Sequence, residues 1–439
     1  MGFPRVHCLP RPPVPVAARR ARIAVGILFF TNGALFANLL PRYPQIKEDL
    51  ELSNAAFGAA VAAFPLGALI LGLSAGLLIR RFRSSRVAVV GTLLTAVGIV
   101  VAGNAPSWTV LAVAFFLAGS MDAITDVAQN SHGLRVQRLY GRSIINSFHA
   151  VWSLGAVTGG IMGAAAAQLE IPLLQHLLIS AVVLGAAALG SLRLLLAGPE
   201  PTGEPDVAAS VAPSGNSPAG TTTAAPQARN RTLPPRVLAA VGRYGVLLAL
   251  VVIASSGAIV EDAGSSWSAI YLSGLGSTAF VAGLGFIALQ GMQFIGRILG
   301  DQMVDRFGQR AVARAGGFTV LVGMGSALAF PSVAGTVIGL GLAGFGVATL
   351  IPAAMHAADE LPGLAPGAGL TVVGWLLRVG FLASPPIVGL IADASSLRLG
   401  LLFVPAAGLL VLLFARVLAT RAVKPTAEPE QAQAPAVRS

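Results

Sequence analysis

The chain has 439 residues, of which 55% are hydrophobic and only 11% are charged. A globular domain has about 25% charged residues, so this composition excludes an ordinary soluble enzyme and predicts many apolar segments of bilayer length. The net charge of +11 is distributed between apolar segments instead of forming one patch with aromatic residues, which excludes nucleic acid as a partner. The single cysteine, Cys8, excludes an internal disulfide or a cysteine-based metal cluster.

Twelve apolar segments bounded by charged residues predict an all-α polytopic membrane protein with twelve transmembrane helices. We place the spans at residues 22–40, 54–79, 86–104, 108–131, 143–168, 171–196, 243–272, 278–300, 311–330, 332–356, 366–392 and 396–416. The seventh is the weakest, because its continuous apolar run ends near Val260. The first follows Arg19, Arg20 and Arg22 but is too long for a signal peptide, so we retain it as a span.

Residues 197–235 are rich in Pro, Ala, Gly, Ser and Thr, which predicts a disordered cytoplasmic linker between two six-helix lobes at 21–196 and 236–421. Disordered cytoplasmic tails are predicted at 1–20 and 422–439. An offset of 225 residues aligns Gly91 with Gly316, Gly98 with Gly323, residues 117–119 with 342–344, and Gly155 with Gly380. The halves therefore read as parallel repeats, a plan typical of secondary transporters that bind solute between two rocking halves.

The basic residues predict the orientation of the helices. With a cytoplasmic N-terminus, three of the 29 Lys and Arg lie outside (Arg42, Lys47 and Arg398) and two lie within spans (Arg297 and Arg378). The other 24 lie in cytoplasmic segments, as the positive-inside rule requires. We expect a multi-pass protein of the plasma (inner) membrane with both termini in the cytoplasm. One cytoplasmic loop departs from the rule, since it has no basic residue and carries Asp359 and Glu360.

Two cytoplasmic turns carry a resemblance to a known family. The turn after span eight is Asp305-Arg306-Phe307-Gly308-Gln309-Arg310, and residues 76–83 after span two are a degenerate copy of it. With the six-plus-six plan, these turns resemble the major facilitator superfamily, which implies its fold and transport by alternating access. Residues 126–130, 141–142 and 147–155 are similar to the fucose-permease-like branch, whose members import sugars with protons. The arginine of span four and the Gly-Pro signature of span five that typify the drug antiporters are absent.

Ionisable residues within the spans are the first candidates for transport, because a charge at membrane depth is costly without a partner or a water-filled cavity. Asp122 and Asp126 form a polar stripe on span four, and their equivalents in the second repeat are apolar. Arg378 lies at the middle of span eleven, and Asp122 is its leading candidate partner. The alternatives are a fixed structural ion pair, a proton site tuned by the cation, and an anchor for an anionic solute. Further candidates for proton coupling are Glu261, Asp262 and His149, whereas we expect Arg297 to extend to the membrane interface.

Polar and aromatic side chains in the spans could line a cavity for a sugar-like solute, although such residues also join helices. They are Asn32, Asn38, Asn130, Trp152, Trp267, Tyr271, Gln290, Gln293 and Trp375. The resemblance implies that the turn after span two packs against the inner end of span eleven, and the turn after span eight against the inner end of span five. We therefore also predict a cytoplasmic gate made of two charge-swapped contacts, one between the turn after span two and the acidic loop before span eleven, the other between the turn after span eight and the loop before span five. Its residues are Arg80, Arg81, Arg83, Asp359 and Glu360 in the first contact, and Asp301, Asp305, Arg306, Arg310, Arg135, Arg138 and Arg142 in the second. Solvated loop charges are the alternative.

The sequence thus predicts a proton-coupled secondary transporter of a small polar solute, acting as a monomer in a lipid bilayer without cofactor or metal. Motifs for phosphate binding, zinc or nucleophilic catalysis are absent, so we do not expect an enzyme. A proton-driven exporter of drugs or metabolites is an alternative within transport. A transporter-like receptor or scaffold is the alternative outside it.

Overall fold

The computed structural model describes residues 14–141, 144–198, 235–362, 364–365 and 367–420. Within these ranges the regular structure is helical, and twelve helices are long and apolar enough to cross a membrane, which confirms the predicted fold class. The first six are α1 (Val16–Ala37), α2 (Asn54–Phe82), α3 (Ser84–Gly103), α4 (Trp108–Tyr140), α5 (Ile145–Gln168) and α6 (Leu173–Ser191). The other six are α7 (Pro235–Gly274), α8 (Ala279–Phe307), α9 (Gln309–Ala329), α10 (Val333–Asp359), α11 (Ala368–Ala394) and α12 (Leu397–Val417). A short helix, Tyr43–Asp49, follows α1.

The two halves are structural repeats, because residues 225 positions apart make equivalent contacts. A Cβ atom on Gly119 of α4 would overlap the carbonyl group of Phe64 in α2. In the second half, a Cβ atom on Gly344 of α10 would overlap the carbonyl group of Leu289 in α8, and Leu289 is the counterpart of Phe64. The same correspondence relates Gly155 facing Phe30 to Gly380 facing Ser255. The aligned glycines of the sequence thus mark close helix crossings that a side chain would block.

The lobes pack against each other through α2 with α11 and through α5 with α8. Gly58 of α2 lies against the backbone of Pro385, and Gly283 of α8 lies against Ala164. The ring of Phe57 meets Trp267 edge-on, with 5.9 Å between the ring centroids. All these residues lie toward the end that holds the α1–α2, α5–α6, α7–α8 and α11–α12 connections. We call this end of the bundle the closed end.

The opposite end holds the α2–α3, α4–α5, α8–α9 and α10–α11 connections, and we call it the open end. Every hydrogen bond that joins described side chains or backbones of the two lobes lies at the closed end. The ion pairs between described residues lie within the C-terminal lobe. Among the described residues, the hydrogen bonds between the lobes therefore lie at one end of the bundle only.

Some helix boundaries differ from those predicted. α1 begins at Val16 instead of residue 22, because Ala and Arg at positions 17–22 are strong helix formers. α7 is one continuous helix to Gly274 although its apolar run ends earlier, since the polar stretch is stabilised by packing, with Trp267 fully buried. Residues 1–13 of the predicted tail, 199–234 of the predicted linker and the whole predicted tail 422–439 lie outside the described residues.

Candidate functional site

Three helices of the N-terminal lobe meet at a chain of two hydrogen bonds. Nε1 of Trp152 on α5 donates to Oδ1 of Asn32 on α1 at 2.8 Å, and Nδ2 of Asn32 donates to Oδ1 of Asp122 on α4 at 2.7 Å. Asn32 is buried, while Trp152 and Asp122 are half-buried. Gly33 lies directly against the backbone of Trp152, so the absence of a side chain there lets α1 and α5 come close enough for the first bond.

The indole of Trp152 fixes the direction of this chain. An indole nitrogen can only donate, so it requires the oxygen of the Asn32 amide. The nitrogen of that amide must then face Asp122, and the Oδ1 atom of Asp122 must accept whether or not the carboxyl group is protonated. The other oxygen, Oδ2, has no hydrogen-bond partner among the described residues. A proton bound to Asp122 would therefore be carried by Oδ2.

Asp126 lies one helical turn beyond Asp122 toward the open end, and its side chain is exposed. Its Oδ1 accepts from Nε2 of Gln129 at 3.3 Å and from Nδ2 of Asn130 at 3.0 Å. A carboxylate exposed in the middle of a membrane helix requires a water-filled space. The space between the lobes at the open end therefore has a polar wall on α4.

Arg378 of α11 and His149 of α5 are exposed and lie within electrostatic range of Asp126. The predicted ion pair between Asp122 and Arg378 is not formed in this conformation, because Asp122 bonds to Asn32 within its own lobe. Arg378 lies on the other lobe and forms no ion pair with a described residue.

A second polar cluster joins α7 and α8 in the C-terminal lobe. Nε2 of Gln293 donates to Oε2 of Glu261 at 2.9 Å, and Nη2 of Arg297 lies 3.9 Å from the same oxygen. Gln293 and Arg297 are four residues apart and share one helix face. The Arg297 side chain is 38% exposed, so it pairs loosely with Glu261 as well as reaching toward solvent.

The predicted cavity residues of the C-terminal lobe divide between the two ends. Trp375, one turn from Arg378, is 46% exposed. Trp267, Tyr271 and Gln290 are buried in the packed lobes, and Oδ2 of Asp262 is buried without a hydrogen-bond partner among the described residues. In this conformation these four residues do not face the open space.

Asn38 differs from its predicted place in the cavity wall. Its Nδ2 donates to the carbonyl oxygen of Ala34 at 2.9 Å, and its Oδ1 lies 2.9 Å from Nε2 of His176 and 3.3 Å from Oγ of Ser180. Its Oδ1 thus joins α1 to α6 near the closed end, while its Nδ2 bonds within α1. Asn38 is therefore a helix-packing residue in this conformation, since buried polar side chains must find partners.

The predicted gate residues lie at the open end. The exposed ones are Arg80, Arg81, Arg83, Asp301, Asp305, Arg306, Arg138, Asp359 and Glu360. Arg135 and Arg310 bond to backbone carbonyls of their own lobes, and Arg142 lies outside the described residues. Glu360 pairs with His356 on its own helix at 3.5 Å. The cytoplasmic gate therefore stays a prediction.

Two inter-lobe residues escaped the sequence analysis. Asp393 at the end of α11 accepts hydrogen bonds from the first residues of α2, and Gln168 at the end of α5 accepts one from the start of α8. They are 225 positions apart, so the repeat alignment pairs them. Polar side chains are ordinary at the ends of apolar helices, and therefore neither residue was predicted to be functional.

A model of the Major Facilitator Superfamily matches residues 25–303. The chain belongs to this superfamily. It is 29% identical over 391 residues to "Uncharacterized transporter y4wD" of Sinorhizobium fredii, a match that covers 89% of this chain and 96% of that protein. It is also 29% identical to "Membrane protein MosC" of Rhizobium meliloti, with 88% of both chains covered. A shorter match, 27% identical over 164 residues and 36% of this chain, is to the enterobactin exporter EntS of Shigella flexneri, of which it covers 39%.

Solved structures share the fold at low sequence identity. The nucleoside transporter NupG superimposes with a TM-score of 0.66 at 13% identity over 90% of this chain and 98% of that chain. A D-xylose-proton symporter does so with a TM-score of 0.60 at 15% identity over 92% and 97%. The chain is therefore a multi-pass membrane transporter of the superfamily for a small-molecule substrate, and not an enzyme.

Proposed function

We propose that the protein is a proton-coupled symporter of a small polar, sugar-like solute and that Asp122 carries the coupled proton. The observation that carries the proposal is the bonded chain of Trp152, Asn32 and Asp122 beside the space between the lobes. It leaves one carboxylate oxygen without a partner and holds the other in a fixed role. A proton on that free oxygen neutralises the carboxylate charge of Asp122, which is costly at membrane depth without a partner.

Asp122 is a better candidate for the coupled proton than Glu261. Glu261 has a cationic neighbour, Arg297, and an amide donor on the same oxygen. Asp122 accepts one hydrogen bond, from a neutral amide, through Oδ1. A proton or a bound solute would therefore be the partner of Oδ2. Asp126 and Arg378 lie on opposite lobes within electrostatic range of each other, and we expect them to approach when the open end closes. In the transporter with bound solute, the charges of Asp126 and Arg378 would then neutralise each other.

The polar groups around Asp122 suit an uncharged solute with several hydroxyl groups. Asn130 and Asp126 offer donors and acceptors near the open space, and Trp375 presents an exposed aromatic face from the other lobe. Aromatic faces pack on the apolar side of sugar rings, while side-chain amides and carboxylates bond their hydroxyl groups. The low-identity match to a D-xylose-proton symporter shares the fold and is compatible with this solute class.

The open end faces the cytoplasm in this proposal. It carries Arg80, Arg81, Arg83 and Arg138 as exposed side chains, and basic residues accumulate in cytoplasmic segments. The structure then represents the inward-open state of a monomer in the inner membrane. The linker and both tails are cytoplasmic in the same arrangement.

Export is a second candidate, supported by the partial match to an enterobactin exporter. A receptor that binds without translocating is the remaining alternative.

A screen of monosaccharides and nucleosides by thermal stabilisation in detergent would find the solute, since a ligand at 100 times its Kd stabilises by about 2.7 kcal/mol. Uptake of the stabilising compound into proteoliposomes, with an acidic exterior and with no pH gradient, then tests the proposal. Symport predicts accumulation only with the gradient; efflux toward the acidic side indicates export, and binding without movement indicates a receptor.

A further inference from the structure

Two helices begin in one lobe and are capped by a side chain of the other lobe. Asp393, near the end of α11, accepts from the backbone N–H of Asn54 at 2.9 Å, from Nδ2 of Asn54 at 2.8 Å and from the backbone N–H of Ala55 at 2.8 Å. Gln168, the last residue of α5, accepts from the backbone N–H of Phe280 through Oε1 at 3.2 Å. The first amides of a helix have no partners within it, so both contacts satisfy groups that otherwise need water.

These two inter-lobe caps are related by the internal repeat. Gln168 and Asp393 are 225 positions apart, and so are Ala55 and Phe280, whose amides they bind. The caps therefore sit symmetrically on the two interfaces that join the lobes at the closed end. They differ in charge, since one acceptor is a carboxylate and the other a neutral amide.

We propose that Asp393 and Gln168 hold the closed end shut and that release of both inter-lobe caps is required for the transporter to open at that end. Each contact crosses between lobes, so it exists only while the α2–α11 and α5–α8 interfaces are closed. Asp393 makes the stronger contact, because its charge interacts favourably with the positive end of α2 and its oxygens accept three hydrogen bonds. Gln168 makes one neutral hydrogen bond. Of the two caps, Asp393 thus contributes more to the equilibrium between the two conformations.

Ser107 offers a control for Asp393. It caps α4 from within the N-terminal lobe, since its Oγ accepts from the backbone N–H of Val110 at 3.4 Å. Removal of Ser107 therefore weakens the start of a helix without affecting an inter-lobe contact. If Asp393 acted only by stabilising the start of a helix, Ser107→Ala and Asp393→Ala would shift the closed-end distance alike.

The test is a measurement of distances between spin labels in the purified full-length chain with Cys8 replaced by Ser. Labels at Glu48→Cys and Leu399→Cys report the closed end, and labels at Leu139→Cys and Gln302→Cys report the open end; all four positions are exposed. We expect Asp393→Ala to increase the population with a long closed-end distance about tenfold and Gln168→Ala about two- to threefold, in the ratio expected for charged and neutral hydrogen bonds. The open-end distance should shorten in parallel.

Gln168→Glu tests the same contact in the opposite direction. A carboxylate there would add charge at the start of α8, so the population open at the closed end should decrease below that of the unmodified chain. Misfolding cannot produce this result. Distance distributions unchanged by Asp393→Ala, or shifted equally by Ser107→Ala, would overturn the proposal, as would an increase in the closed-end distance in Gln168→Glu. None of these measurements involves a proton gradient or a solute, so they are independent of the proposed coupling.

Discussion

Asn32 and Asp122 lie on different helices, and the amide nitrogen of the first is 2.7 Å from a carboxylate oxygen of the second. The contact has a fixed direction because Trp152 occupies the amide oxygen of Asn32. One oxygen of Asp122 is thereby reserved as an acceptor, and the other is left to exchange a proton. A single bond from an indole thus defines which atom of the carboxyl group can take part in coupling.

Trp152→Phe should weaken the function of this site while keeping an aromatic ring in place. Without the indole N–H, the Asn32 amide can rotate and present its oxygen to Asp122. The net contribution of one hydrogen bond is about 0.5–1.5 kcal/mol, so we expect a roughly two- to tenfold fall in solute affinity and in gradient-driven uptake. Uptake into proteoliposomes and ligand-induced thermal shifts measure the two effects.

Trp108→Phe is the matched control for that substitution. Nε1 of Trp108, at the start of α4, also donates one hydrogen bond, to the carbonyl oxygen of Ala56 at 2.7 Å. Its replacement removes a bond of the same kind and leaves the Asn32–Asp122 pair intact, so affinity should stay within about twofold of the unmodified chain. Equal losses in both variants would show that the hydrogen bond of Trp152 has no specific role.

Gly119→Ala and Gly344→Ala should both destabilise the protein, each within its own lobe. A Cβ atom at either position would overlap a backbone carbonyl group, of Phe64 or of Leu289, and a backbone cannot rotate away as a side chain can. We expect a loss of about 1–3 kcal/mol in unfolding free energy for each, the usual cost of overpacking. Gly26→Ala, where nothing lies within 4 Å, should leave stability unchanged or raise it. Thermal denaturation of the four chains in detergent decides this, and equal midpoints would contradict the structure.

The repeat at offset 225 was visible in the sequence because close helix crossings demand glycine, and glycine at fixed spacing survives as a pattern. The positions of the spans could be predicted for a different reason, because bilayer thickness fixes the length of each apolar run. The partner of Asp122 could not be predicted. Arg378 was the candidate, whereas Asp122 bonds to Asn32 in the structure, and the polar pattern of one helix does not encode which side chain of another helix it meets. Asn38 was misplaced because a buried amide in a helix contact and one in a cavity have the same sequence environment.

Arg83→Gly should stabilise the N-terminal lobe. Arg83 has φ of 73° and ψ of 145°, a backbone conformation that is occupied almost only by glycine, and its counterpart in the second repeat is Gly308 with φ of 81°. Such a conformation costs about 1–3 kcal/mol for a residue with a side chain, so the melting temperature should rise. Arg81→Gly, within the last turn of α2, should instead lower it, because glycine is the weaker helix former there. A lower melting temperature for Arg83→Gly would show that its side chain contributes more than the strain costs.

Arg80→Asp should favour the conformation described here. Arg80 and Asp359 are exposed at the open end, and the predicted gate brings them together when that end closes. Like charges would oppose closure, and an exposed pair is worth under about 1 kcal/mol, so the ratio of open to closed should rise about two- to fivefold. Spin labels at Leu139→Cys and Gln302→Cys would measure it. Adding Asp359→Arg should restore the original ratio, and a double variant that behaves like Arg80→Asp alone would contradict a direct contact.

Asp122→Asn addresses the coupling itself. An amide at this position keeps the shape of the side chain and can still accept from Asn32 through its oxygen, but it cannot gain or lose a proton. Proteoliposomes containing the variant should exchange labelled for unlabelled solute by counterflow, because exchange requires binding and movement but no net proton transfer. They should not accumulate solute when a pH gradient is imposed. Accumulation at the level of the unmodified chain would contradict the assignment of the coupled proton to Asp122.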